Sequence, residues 1–317
     1  MKLIIKYTLI LLAIGLAGFA LSGYLVKIPS QLGSVNMTLV VVPTLGLVLY
    51  QLWNAGVWSE VLAAMGLKVS RKGAMKVWLE SESMKWLPGS VWSYGSRVVS
   101  AKKLGINKKQ ASASIVLELV LTNIAWGTLA ITALFNAEMI ALVKPYFIII
   151  IKHSLILTLV VAFMAVAVIL IRKVVMNMLK KLLEIKKVSA SMAITTVAHY
   201  ILLCLWNVVM MWLLILSIPN VDVSFFTLIG IAGIAWMAGF WAIGIPGGVG
   251  VREAVIVALL IHFGSLESAI LVAILWRVIQ MISEISALVI SFIVKASKQV
   301  EIENNRNQSH EVSNAVS

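Results

Sequence analysis

Two short passages break an otherwise apolar chain: Leu87-Pro88-Gly89-Ser90-Val91-Trp92-Ser93-Tyr94-Gly95-Ser96-Arg97 and Ile245-Pro246-Gly247-Gly248-Val249-Gly250-Val251-Arg252-Glu253. Proline stops the helix before it, and glycine takes backbone angles that other residues resist. A helix beginning near Val251 would turn its free N–H groups and positive dipole end toward the Pro-Gly turn, where phosphate or carboxylate is attracted. Arg252 adds a fixed charge there. The chemistry these residues suit is anion binding. The alternative is an ordinary cytoplasmic turn in which Pro and Gly only reverse direction. Both passages run aliphatic, Pro-Gly, small residue, Val and then Arg, and their prolines lie 158 residues apart, half the chain length. That spacing predicts an internal repeat of two four-segment halves (4+4). Counting crossings between them predicts a parallel duplication with both passages open to the cytoplasmic side.

Other ionisable groups sit in apolar surroundings. Glu118 lies about two turns into one apolar stretch. Arg277 and Glu284 are seven apart in another, with Gln280 between them, and so share a helical face. A charge at the centre of a membrane helix costs a few kcal/mol even on mild scales, so such groups must face the protein interior and find partners. Glu118, Glu253 and Glu284 oppose Arg97, Arg252 and Arg277. Either these pair off structurally, or an arginine is left for an anionic headgroup while a glutamate titrates or gates. Bond-making sets are missing. Asp222 is the sole aspartate, which rules out a DxD motif or an aspartate dyad. One cysteine, Cys204, rules out an intrachain disulfide or a Cys-based zinc site. His153, His199, His262 and His310 have no ligand spacing, so no metal and no cofactor is assigned.

These residues must be held by membrane segments. Of the 317 residues 61% are hydrophobic and 12% charged, and mean hydropathy is +1.01; soluble domains carry roughly 25% charged residues. Apolar runs long enough for a ~30 Å hydrocarbon layer predict an all-α integral membrane protein. Its eight segments fall at about 7–26, 35–52, 111–135, 154–171, 193–216, 225–245, 254–263 and 268–294. The seventh spans only if the glycine-rich stretch before it lies in the membrane, where irregular backbone is tolerated when buried in protein or lining a wet cavity. Both Pro-Gly passages are accordingly read as re-entrant or broken segments. The first segment is read as an uncleaved helix, residues 1–295 as one transmembrane domain, and 296–317 as a disordered cytoplasmic tail.

The Lys and Arg distribution orients the chain. The N-terminal stretch, 59–110, 172–188 and the tail hold 21 of the 26, while the alternate loops hold Lys27, Lys144 and Lys152. The positive-inside rule puts both termini in the cytoplasm of a multi-pass cell (inner) membrane protein. The formal charge of +13 then faces anionic headgroups, and no nucleic-acid module accompanies it. In 59–110, Lys68, Arg71, Lys72, Lys76 and Lys85 alternate with Trp78, Trp86 and aliphatic residues, the pattern of a helix lying in the interface. The other tryptophans fall mostly near segment ends as an aromatic belt; Trp92 and Trp241 flank the Pro-Gly passages.

At Leu87-Pro88-Gly89 with Trp92 and Arg97, at Glu118, at Pro246 through Ala254 and at Arg277, the sequence resembles the flippase-like transmembrane region of lysylphosphatidylglycerol synthases and the stand-alone proteins that share it. Ser90 and Val249 depart from residues common in that family. The resemblance covers about residues 1–295. It implies an eight-segment unit that moves aminoacylated phospholipid between leaflets in bifunctional relatives, and it leaves the cargo open among glycolipid and envelope-polysaccharide pathways. The soluble aminoacyl-transferring domain of those relatives would be missing, so synthase activity is not expected.

The leading expectation is a non-enzymatic lipid translocator acting on membrane phospholipid or lipid-linked saccharide. Its binding residues would be Pro88, Gly89, Trp92, Arg97, Glu118, Pro246, Gly247, Gly248, Gly250, Arg252, Glu253, Arg277 and Glu284. Two alternatives are a non-catalytic accessory or scaffold of envelope synthesis, and a membrane glycosyl- or acyl-transferase. A homodimer or an envelope-synthesis enzyme is the expected protein partner; nucleic acid is not.

Overall fold

The computed structural model describes residues 33, 35–86, 92–142, 144, 190–242 and 246–293. Among these every regular element is helical: α1 Met37–Ala64, α2 Arg71–Glu82, α3 Trp92–Ser100, α4 Lys108–Thr132, α5 Ala190–Ile215, α6 Phe225–Trp241, α7 Val251–Leu260 and α8 Leu266–Ile293. The helices start where the sequence supplies caps. Asn36 accepts from the amides of Thr38 and Leu39, Ser70 from Gly73, and Ser224 from Thr227. At α4, Asn107 and Gln110 cap each other's backbone in a reciprocal box.

Helices α1, α4, α5 and α8, with the turn that extends α4 to Phe135, are long and apolar enough to cross a membrane. The expected segments 35–52, 111–135, 193–216 and 268–294 each fall on one of them; 7–26, 154–171 and the tail lie outside the described residues. The other four helices form two hairpins. Helices of 12, 9 and 10 residues (α2, α3 and α7) reach only about 13–18 Å at 1.5 Å per residue, too short for the hydrocarbon layer.

Each hairpin begins and ends at one face. Ser70, before α2, lies close to Leu104, after α3; a β-carbon on Gly73 would meet both. Exposed Lys68, Arg71, Lys72, Lys102, Lys103, Lys108 and Lys109 gather there, where α1 ends and α4 begins. Around α6 and α7, the Asp222 amide donates to the Phe263 carbonyl at 2.9 Å, so the start of α6 and the end of α7 share a face. That face holds exposed Glu138, Asp222 and Glu267. One end of the bundle is thus basic and the other acidic.

The two hairpins enter from opposite ends. This corrects the sequence reading that both passages open to one side, and with it the parallel form of the duplication. The crossing count failed at 225–245: α6 does not cross but stops at Trp241, part-way along α4, and α7 turns back. The interfacial helix also needs correcting. α2 packs against α1 and α8 with Val77, Trp78 and Leu79 buried, so the stretch dives inward.

Antiparallel packing holds the crossings together. On α1 and α5 the Asn36 amide meets the Ser217 carbonyl at 3.0 Å, Trp206 Nε1 donates to the Gly46 carbonyl at 2.8 Å, and His199 Nδ1 lies 2.6 Å from Glu60. On α4 and α6, Trp126 stacks on Trp236 with ring centroids 5.3 Å apart. Gly233 lets these two backbones touch, since a β-carbon there would lie 2.6 Å from the Ala130 nitrogen. Gly233→Ala is therefore expected to cost about 1–3 kcal/mol, read as a lower melting temperature in detergent. Unchanged melting would contradict this helix contact.

Candidate functional site

Where the hairpin tips meet, the turn Ser83–Trp86 touches the turn Pro246–Gly248. Beside them lies a cavity of about 400 Å³, lined by residues from all eight helices and both turns. Helical periodicity explains how single elements supply several of them. On α8, Arg277, Gln280 and Glu284 recur at spacings of three and four; on α1, Tyr50 and Gln51 lie four and three residues before Asn54. Asn207, Thr122, Ser93 and Tyr94 complete the polar wall, and Trp126, Trp236 and Phe240 supply an apolar one.

Arg97 is the most enclosed cation, 1% exposed. Its guanidinium sits 5.5 Å from the Trp58 ring centroid and 5.2 Å from that of Trp78. Nε donates to Ser81 Oγ at 2.9 Å, Nη1 donates to the Glu118 carboxylate, and Nη2 lies 3.4 Å from Glu82. Glu118 also accepts from Trp78 Nε1 at 2.8 Å. Lys85 continues the chain of charges, with Nζ 3.0 Å from Glu82 and 2.8 Å from Glu284. Four carboxylate and ammonium groups on α2, α4, α8 and the first turn are thus knotted around one arginine. Such a network holds a shape well: removing one member leaves the others charged and buried.

The second hairpin is arranged differently. Gly247 and Gly248 take φ of 60° and 68°, conformations that favour glycine, and Gly248 presses on the Gly239 backbone. A β-carbon at Gly239 would meet Arg252 Cγ at 2.2 Å, and one at Gly247 would meet Arg277 Nη2 at 3.2 Å. The glycines make room for two arginines at the cavity wall. Arg277 pairs with Glu253 at 3.5 Å. Arg252 lies 5.6 Å over the Trp236 ring; among the described residues no carboxylate pairs with it, and its buried Nε has no hydrogen-bond partner.

Of the residues singled out in the sequence, Arg97, Glu118, Gly247, Gly248, Arg252, Arg277 and Glu284 line this cavity. Pro88 and Gly89 lie outside the described residues. Pro246 opens the second turn. Trp92 is half exposed and does not line the cavity. Gly250 precedes α7, which starts at Val251 as expected, but the Gly250 amide already donates to Glu253 at 2.6 Å. That amide is therefore taken by the helix's own carboxylate, while the arginines stand on the cavity wall. Sequence reasoning missed Trp78, Glu82, Lys85, Gly239 and the Tyr50-Gln51-Asn54 face. The last had a legible signal, three hydrogen-bonding side chains at helical spacing in an apolar run. Among the described residues no cluster of His, Cys, Asp and Glu is arranged to hold a metal.

Comparison with curated proteins gives no match. The family model of the lysylphosphatidylglycerol synthase TM region matches residues 3–285. With nine-tenths of its length under that match, and with long apolar helices of the kind a membrane region requires, the chain is a membrane protein that belongs to the lysylphosphatidylglycerol synthase TM region family.

Proposed function

We propose that this protein carries the headgroup of an anionic or zwitterionic phospholipid, or of a lipid-linked saccharide, between membrane leaflets without a covalent step. One observation carries the reading: a partly open cavity with polar and apolar walls where two hairpin tips meet part-way through the bundle, with Arg252 on its wall unpaired with any carboxylate among the described residues. A headgroup crosses hydrocarbon slowly because desolvating its phosphate costs many kcal/mol. Arginine suits phosphate because its planar fork donates two parallel hydrogen bonds. The acyl chains remain in lipid throughout.

The order of elements supports a two-fold plan. Long helix, short helix, short helix and long helix describe both α1–α4 and α5–α8, and in each half the sequence places a Pro-Gly pair between the two short helices. With hairpins entering from opposite ends, the halves have the relation of inverted repeats, whose rocking alternates access around a central site in many transporters. The basic end faces the cytoplasm under the positive-inside rule, and both termini lie on that side of the cell membrane. Catalysis forms no part of this reading. A second copy of the chain or an envelope-synthesis enzyme is the partner it would act with.

The test is leaflet exchange of a fluorescent phospholipid in proteoliposomes, followed by quenching from outside. Exchange well above that of empty vesicles is expected. Equal rates with protein that is demonstrably folded would overturn the reading.

A further inference from the structure

A second hollow, of about 560 Å³, runs between α7 and α8. Its walls are almost wholly apolar, with small Ala254 and Ala258 exposed along α7 facing Ile270 on α8. It begins at Glu253, whose carboxylate pairs with Arg277 of the central cavity, and runs to Ile261 and Leu266 at the acidic end. A polar chamber and an apolar groove therefore meet at one ion pair, with Arg252 one residue away.

We infer that this groove holds an acyl chain of a phospholipid whose phosphate is at Arg252, the lipid having come from the leaflet at the basic end. The inference rests on the translocation reading above and adds a binding site and a direction to it. Charge complementarity names the occupant: Glu253 closes one end of the groove, Arg252 and Arg277 of the adjoining cavity stand just beyond it, and hydrocarbon-like walls fill the rest, the order of a phosphate and its chain. Geometry gives the direction. A lipid in the basic-end leaflet points its chains toward the acidic end. When its headgroup rises to the hairpin tips, its chains run on from there toward the acidic end, along the line from Glu253 to Leu266. A lipid resting in the opposite leaflet has the reverse polarity, with its headgroup beside Leu266.

The Glu253–Arg277 pair stands at the junction. A phosphate reaching Arg252 competes with Glu253 for Arg277, and opening that pair joins chamber and groove. Recognition of the headgroup and admission of the chain thus become one event.

Two photoreactive phosphatidylglycerols test this, one with a diazirine near the acyl carbonyl and one near the terminal methyl, in vesicles containing the full-length protein. Peptide mapping is expected to find the carbonyl-proximal label near Ala254 and the terminal label near Leu266. The reverse order is that of an ordinary acidic-side lipid and would overturn the inference. Arg252→Ala should reduce the proximal label at least fivefold, and Ala258→Trp, which fills the groove, should reduce both, each in protein of unchanged melting temperature. Labelling of the groove that is indifferent to Arg252→Ala, or no denser than on exposed Ile124 and Ile131 of α4, would also overturn it. Labelling does not require exchange. Ordered, Arg252-dependent labelling in vesicles where no exchange occurs would uphold the groove and remove the translocation reading.

Discussion

Arg252→Ala is expected to slow leaflet exchange of an anionic phospholipid about 10- to 100-fold while lowering the melting temperature far less than Arg97→Ala does. Hydrogen bonds to a charged group contribute about 1.5–3 kcal/mol, and each ~1.4 kcal/mol in a barrier is tenfold in rate. Stability is spared because no carboxylate among the described residues relies on Arg252, so its removal leaves no buried anion unpaired. What is lost is its position over Trp236, about 0.5–2 kcal/mol for such a contact between an exposed and a desolvated setting. Arg252→Lys should lie between the two, retaining the charge without the fork. Wild-type exchange by folded Arg252→Ala protein would mean that the headgroup does not pass this arginine.

Arg97→Ala should give the opposite pattern, a loss of roughly 3–5 kcal/mol of stability with exchange lost only because the fold is lost. The guanidinium is 1% exposed, stacked between Trp58 and Trp78, and bonded to Ser81 and Glu118. Without it Glu118 remains buried with the Trp78 N–H, too little for a full negative charge. Thermal or denaturant unfolding in detergent reads the effect. The double replacement Arg97→Met with Glu118→Leu removes both charges and should recover most of the stability, as apolar substitutes for buried pairs often do. If the double variant also recovers exchange, the pair is scaffolding. A single variant as stable as wild type would refute the structural role assigned to this network.

These contrasting expected outcomes would separate two readings that the sequence left open. Three acids against three bases allowed every charge to pair or one to be kept for a ligand. The fold adds Glu82 and Lys85, ties Arg97 into a five-membered network, and leaves Arg252 on Trp236. No periodicity in 59–110 distinguishes a helix on the membrane surface from one that dives inward, because both need one apolar face and one charged one. Lys85 therefore looked interfacial, yet it bonds Glu284 on α8, about 200 residues along the chain.

Run length, charge asymmetry and the break at Pro246 were legible in the chain because each is a local or additive property. A run of twenty apolar residues suits lipid, basic residues cluster in alternate loops, and proline followed by glycines interrupts a helix at Pro246, whereas Pro43 alone is carried within α1. The shared face of Arg277 and Glu284 was legible for the same reason, since helical spacing is fixed by backbone geometry alone. Tertiary structure decided the rest. Whether 225–245 crosses or turns back depends on the close approach of Gly233 to Ala130 and on the contact between the two turns, and no count of apolar residues contains that. From this one choice follow the opposed hairpins, the chamber between their tips and the groove beside it. All three depend on which surfaces meet, a relation between distant residues that hydropathy along a chain does not record.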